Sequence, residues 1–126
     1  MYKRTFYQSV VEAIKGLKFV IQTERNMRVH LAIAVVVVLL SIILSLSKIE
    51  FALILFSIAL VLVAETVNTA FELLLDYVNG AKYHDTIKML KDIAAGGVLV
   101  AALNAVVVGV IIFGPKLVMF TQMIAD

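Results

Sequence analysis

Cysteine is absent from the 126 residues, which excludes disulfide and thiol chemistry and leaves the redox compartment open. The phosphate-cradling signatures of soluble nucleotide enzymes are missing too. GxxxxGK[ST] occurs nowhere, Gly96-Gly97 lies inside an apolar run rather than between a strand and a helix, and protein-kinase signatures are absent. His30 and His84 have no metal-ligand spacing, and His30 is expected at a membrane–water boundary. No internal repeat is visible. No cleaved signal peptide is expected, because MYKRTFYQSVVEAIKGLKF contains no long apolar core followed by a small-residue cleavage site.

Polar material is scarce overall. Hydrophobic residues make up 63% of the chain and the mean hydropathy is +1.05, far from the composition of soluble domains. A chain of this length, about one domain, cannot cover that much apolar surface in water. Its solvent is lipid. Three runs approach the roughly 20 residues that a bilayer core requires: Val29 to Ser47, Phe51 to about Ala70, and Ile93 to Phe113. With their polar ends, the spans are expected at about 29–47, 51–76 and 91–113. SKIE should form a tight hairpin between the first two, DYVNGAKYHDTIKMLKD a polar connection between the last two, and Gly114-Pro115 the end of the third helix.

Lys3, Arg4, Lys15, Lys18, Arg25 and Arg28 precede the first span, and Lys82, Lys88 and Lys91 lie in the second connection, against only Lys48 and Lys116 elsewhere. By the positive-inside rule the N-terminus and residues 77–91 are cytoplasmic and the C-terminus is outside. Residues 5–22 read as an amphipathic helix in the cytoplasmic interface. Phe6, Val10, Ile14, Leu17 and Ile21 share one face, and Gln8, Glu12, Lys15 and Gln22 the other. The fold class is therefore all-α integral membrane, one interfacial helix plus three transmembrane helices in a single domain, 1–126. So thin a bundle hides few polar groups alone, and the small residues of the third span (Gly96, Gly97, Ala101, Ala105) favour close helix contact, so self-association is expected.

Against this background AETVNTAFELLLD stands out. Glu65, Asn68, Glu72 and Asp76 fall within about 80° on a helical wheel, a line of oxygens on an otherwise apolar helix. Glu65 is the deepest, roughly 7–8 Å inside the cytoplasmic boundary. Acidic groups at such depth usually face a bundle interior and carry function. Glu24, on the extended wheel of the N-terminal helix, falls on the apolar face, and Lys91-Asp92 abut the third span. Two or three carboxylates at an interface suit Mg²⁺, which binds through one or two carboxylates plus phosphate oxygens. A further carboxylate held away from water can take a proton from a hydroxyl, and a lysine can neutralise phosphate. Those are the parts for moving a phosphoryl group from a soluble nucleotide to a lipid alcohol. Each part also has a structural reading: Glu65 paired with Arg25, Arg28 or Lys91, Asn68 and Asn104 as interhelical hydrogen bonds, and Asp76 as a solvated helix end. A non-catalytic assembly factor, or an oligomer with a cation ring of Glu65 and Glu72, is the alternative from another class.

The run E-x-x-N-[ST]-A-x-E-x-x-x-D from Glu65 to Asp76, the Lys91-Asp92 pair, and GLKFVIQTERNMRVH from Gly16 to His30 resemble the bacterial integral-membrane diacylglycerol kinase family, most of all its Gram-positive undecaprenol kinase branch. The similarity covers roughly residues 3–113 and leaves out the tail KLVMFTQMIAD. It implies a homotrimer of the bacterial cytoplasmic membrane, with active sites between protomers at the cytoplasmic rim and ATP as phosphoryl donor. By resemblance Glu65 is the general base that meets the lipid hydroxyl, Asn68 a positioning residue beside it, and Glu24 and Glu72 the Mg²⁺ ligands. Lys91 and Asp92 match the nucleotide-contacting pair, and Lys82, Tyr83 and His84 the nucleotide-binding loop. Glu12 and Lys15 depart from the Gram-negative diacylglycerol kinases, so their lipid contacts do not transfer. ERNMRVH points to a polyprenol acceptor, with diacylglycerol the alternative.

Overall fold

Helix α1 (Phe6–Thr23) starts at a reciprocal cap: the Gln8 amide donates to Thr5 Oγ1 at 3.2 Å, and Gln8 Oε1 accepts the Thr5 amide at 2.9 Å. It ends at Glu24, whose extended backbone (φ −102°, ψ 115°) also opens α2 (Arg25–Ile43). The corner is held from outside. Arg28 Nη1 donates to the carbonyls of Ile21 at 3.0 Å and Gln22 at 2.9 Å, two of the acceptors that a helix end leaves unpaired. Helices α3 (Lys48–Asn79) and α4 (Asp85–Ala125) complete the computed structural model, which describes residues 3–126 and contains no strand among them.

Helices α2, α3 and α4 are each long and apolar enough to cross a membrane. The protein is an all-α, multi-pass membrane protein. Most of its large apolar side chains are exposed, as they are where lipid is the solvent. Along α1 the expected apolar face is itself largely uncovered: Phe6, Val10, Ile14 and Leu17 are exposed and only Val20 is buried.

The connections differ from the sequence expectation. SKIE is not the hairpin. The first span stops at Ile43, residues 44–47 turn with Ser45 at φ 52°, and Ser47 caps α3 by bonding the Glu50 amide while Glu50 Oε1 accepts the Ser47 amide. Hydropathy carries no mark of this turn, because Leu44 and Leu46 are apolar residues packed on the core. The polar connection from Asp76 to Asp92 is mostly helical as well, leaving 80–84 between α3 and α4. Gly80, at φ 61°, ends α3 in the left-handed conformation that glycine adopts without strain. Gly114-Pro115 does not end the last span, and α4 continues through Pro115 to Ala125. Proline removes one main-chain donor and adds one steric conflict, which helices in lipid accommodate without ending. Just beyond it, Lys116 Nζ reaches Glu50 Oε1 at 3.4 Å and ties α4 to the start of α3.

Helix α3 packs mainly against α4, α2 leans on α3, and α1 touches α2 and α3 near the corner. The apolar core of Ile54, Ile112 and Phe113 lies near the 44–47 turn, hereafter the far end. Toward the other end of α3 three polar residues, Glu65, Asn68 and Thr69, are buried together with Leu75. Asn104 is exposed on α4 and makes no hydrogen bond among the described residues, so the interhelical bond expected for it does not form within the chain.

Candidate active site

Burial of Glu65, Asn68 and Thr69 close together on one apolar helix calls for a reason. The Glu65 side chain is 2% exposed, and its Oε2 lies 3.6 Å from Nε2 of His30, in the second turn of α2. Asn68, one turn further along α3, donates from Nδ2 to Glu72 Oε1 at 3.3 Å. Its Oδ1 is buried without a partner, and so is the Thr69 hydroxyl. The neighbouring Thr66 hydroxyl is occupied in its own helix, donating to the Leu62 carbonyl at 2.7 Å. Unpartnered buried acceptors cost stability and mark a place where something else binds or where function is served.

The structure brings together Glu65, Asn68 and Glu72 from α3 and His30 from α2, and Glu24 stands at the α1–α2 corner, six residues before His30. Glu24 and Glu72 are half-buried and neither has a basic partner among the described residues. The Lys91-Asp92 pair is split. Lys91 Nζ holds Asp76 Oδ1 at 2.6 Å across α4 and α3, whereas Asp92 pairs at 2.6 Å with Lys88 on its own exposed helix face. The 80–84 loop is ordered by its own bonds: Asn79 Nδ2 donates to the Lys82 carbonyl, Tyr83 Oη to Asp85 Oδ1 at 2.9 Å, and the Thr86 amide to His84 Nδ1 at 3.1 Å. Lys82, Tyr83 and His84 are exposed at the same end of the molecule.

Two structural expectations are corrected here. The partner of Glu65 is His30, not Arg25, Arg28 or Lys91. Arg28 closes the end of α1 and Lys91 is taken by Asp76, while His30 is partly buried between α2 and α3. Asp76 is not a merely solvated helix end but one half of the α3–α4 ion pair. One signal for His30 was available. It is the only titratable residue in the run from Val29 to Ser47, and an ionisable side chain in such a run points inward.

Two apolar hollows flank α2. One, of about 540 Å³, runs between α2, α3 and α4 from His30 past Val37, Val61, Ala105 and Gly109 to Phe113. The other, of about 420 Å³, lies under α1 against Leu17, Ile21, Leu31 and Thr66. The chemistry available is therefore a buried carboxylate in contact with an imidazole, two uncompensated acids beside it, and hydrocarbon-lined space reaching it from within the bundle.

Residues 11–113 match the family model described as prokaryotic diacylglycerol kinase. The chain belongs to that family. It is 38% identical over 102 residues to a diacylglycerol kinase of Synechocystis sp., a match that takes in 81% of this chain but only 58% of the length of that protein. It is also 38% identical over 112 residues to the undecaprenol kinase of Bacillus subtilis, covering 89% of this chain and 90% of that one. The matched family segment contains every residue of the candidate site, from Glu24 to Asp92, and ends at Phe113.

Proposed function

We propose that the protein is an ATP-dependent lipid kinase that phosphorylates the hydroxyl of a membrane polyprenol, undecaprenol, at the cytoplasmic face of the bacterial inner membrane. The observation that carries this reading is Glu65. It is a carboxylate almost wholly buried at membrane depth, one helical turn from Asn68 and two from Glu72, with Glu24 at the corner where α1 gives way to the helix that carries His30. Near-complete coverage of the undecaprenol kinase relative, against partial coverage of the diacylglycerol kinase, favours the polyprenol acceptor.

In the reaction, the lipid hydroxyl oxygen forms a bond to the γ-phosphorus as the bond from that phosphorus to the β–γ bridging oxygen breaks, releasing ADP. The hydroxyl proton passes to Glu65. His30 fixes the orientation of the carboxylate, and Asn68, tied to Glu72, lines the acceptor side. Among the described residues no three His, Asp or Glu side chains gather closely enough to hold a metal alone. The donor set nevertheless fits Mg²⁺, which commonly takes one or two carboxylates and completes its shell with phosphate oxygens and water. Glu24 and Glu72 would hold it, and the unpartnered Asn68 Oδ1 marks unmet polar demand beside them. Bound there, Mg²⁺ supplies charge neutralisation for the transferring phosphoryl group. Lys91, Asp92 and the Lys82-Tyr83-His84 loop would contact the nucleotide from α4 and the adjoining turn.

We further propose that α1 lies in the interface with its exposed apolar face in lipid and that the protein is a homotrimer. An asparagine left exposed in mid-span supports self-association, because a polar amide in hydrocarbon seeks a partner on another helix. The decisive test supplies labelled ATP and Mg²⁺ with undecaprenol, diacylglycerol and other lipid alcohols to purified protein in lipid. Labelled undecaprenyl phosphate is expected. Label on diacylglycerol alone would change the acceptor, and no lipid product would leave a non-catalytic membrane oligomer. The orientation has its own test, motivated by the lysine and arginine asymmetry. A reporter fused after Asp126 should be extracytoplasmic and one inserted at Lys82 cytoplasmic, whereas a cytoplasmic C-terminus would invert the site.

A further inference from the structure

We propose that His30 is the outlet for the proton that Glu65 collects, a positioning and relay residue that returns the buried base to its working form after each transfer. The inference rests on the lipid-kinase reading above and goes beyond it by assigning the step that follows phosphoryl transfer.

A base that takes one proton in each reaction must lose it before the next. Glu65 cannot lose it directly to water, because its side chain is only 2% exposed. Its neighbours on α3 offer no path. Asn68 carries an amide, which does not titrate, and is tied to Glu72. The Thr66 hydroxyl is spent on the Leu62 carbonyl, and the Thr69 hydroxyl is itself buried without a partner. The other helices add no titratable group of their own. Helix α4 lines the hollow beside His30 with Ala102, Ala105 and Val106, and α1 packs with Leu17 and Ile21. Among the surrounding charges, Glu24 stands at the corner, Arg25 is exposed, Arg28 is bound to the α1 carbonyls and Lys91 to Asp76.

What remains is His30. Its Nε2 is 3.6 Å from Glu65 Oε2, and no other basic side chain pairs with Glu65 among the described residues. Unlike the acid, the imidazole is partly exposed, at 21%. It lies six residues past the corner at Glu24, roughly 9 Å along the helix at 1.5 Å per residue. The contact is longer than a hydrogen bond, as catalytic pairs often are before substrate draws them together. An imidazole suits the task, since one ring nitrogen can accept a proton while the other gives one up. Nδ1 makes no hydrogen bond among the described residues, so it is open to water.

In the proposed step the O–H bond of protonated Glu65 breaks as an N–H bond forms at His30 Nε2. The imidazolium gives its Nδ1 proton to water, and the net change is one proton moved from carboxyl to solvent. A rotation of the neutral side chain then presents an unprotonated nitrogen to Glu65 again. The hollow of about 540 Å³ that His30 lines leaves room for that rotation.

The test separates the first turnover from those that follow. His30→Gln keeps an amide to meet the Glu65 carboxylate but cannot titrate. Equilibration before mixing gives Glu65 time to lose its proton unaided. The first turnover on adding Mg-ATP and undecaprenol to reconstituted protein should therefore stay within about twofold of wild type. Steady-state kcat should fall on the order of 10²-fold, the low end for a lost proton-transfer group, with the KM for ATP unchanged. Loss of Glu65 itself would instead slow the first turnover. Should His30→Gln fail to assemble, His30→Asn gives the same comparison. A second readout needs no substrate. The infrared band of the Glu65 carboxyl group, assigned by its loss in Glu65→Gln, should follow a pH jump about tenfold more slowly in His30→Gln than in wild type. Equal losses in the first and later turnovers would overturn the inference and leave His30 an orienting residue alone. An unchanged kcat, or an unchanged response to the pH jump, would overturn it too while the kinase reading stands. A response that depends on His30, in wild-type protein that phosphorylates no lipid, would support the proton path and sink the kinase reading.

Discussion

Glu65→Gln should lower kcat for lipid phosphorylation by about 10²–10⁴-fold, the range for losing a positioned general base, with the KM for ATP largely unchanged. Glutamine keeps the length, the fit between α2 and α3, and an oxygen facing His30 Nε2, but it cannot take the hydroxyl proton. The shorter Glu65→Asp retains basicity and withdraws the oxygens by about a methylene, so it too should lose turnover by misplacement. Both variants should still assemble. The carboxylate is buried with one imidazole 3.6 Å away, so neutralising it removes the cost of burying a charge as well as an attraction. The measurement is single-turnover phosphorylation of undecaprenol in reconstituted protein, alongside nucleotide binding. Near-normal turnover in Glu65→Gln would return the buried acid to a purely structural role.

A second large effect is expected in the metal dependence. Glu24→Gln and Glu72→Gln each remove one negative ligand from a site that has only two to offer. Each should raise the Mg²⁺ concentration for half-maximal activity by at least the roughly 10–100-fold that accompanies loss of a mere supporting residue in metal sites. Excess Mg²⁺ should restore much of the rate, because the phosphates of ATP supply the rest of the coordination. The Asn68 bond survives in Glu72→Gln, since the amide oxygen still accepts it, so the effect is separable from a packing defect. Excess Mg²⁺ should do nothing for Glu65→Gln. Equal rescue of all three variants would mean that these carboxylates have been given the wrong parts.

The helices and the polar stripe were legible in the sequence because both depend on local pattern. Three long apolar runs have no other stable form in lipid, and Glu65, Asn68 and Glu72 share a face by helical spacing alone. Partners across helices were not legible. Periodicity says that Glu65 faces inward, but His30 meets it only because the chain turns at Glu24, and the wheel drawn through residues 5–22 ceases to apply at that residue. Helix ends misled for a related reason. Gly114-Pro115 is a stop in water, yet here α4 runs on, whereas the true turn at 44–47 is built from leucines and serines that look like more membrane span. Asn104 shows the same limit. Its polarity calls for a partner, and the fold of one chain supplies none among the described residues.

The placement of the apolar core at the far end of the bundle has a dynamic consequence. Ile54, Ile112 and Phe113 interlock there and the Glu50–Lys116 pair joins α3 to α4 at the same end, while toward the Glu65 end the buried apolar residues Val20, Met27 and Leu75 form no such cluster and α3 is tied to α4 by the part-buried Lys91–Asp76 pair. Opening free energy is therefore uneven along the helices, smallest where buried apolar contacts are fewest. Amide hydrogens near residues 68–79 and 85–92 should exchange through partial openings that leave residues 52–60 and 106–113 protected. The bundle behaves as a tuning fork, clamped at one end, with tines free to part at the other.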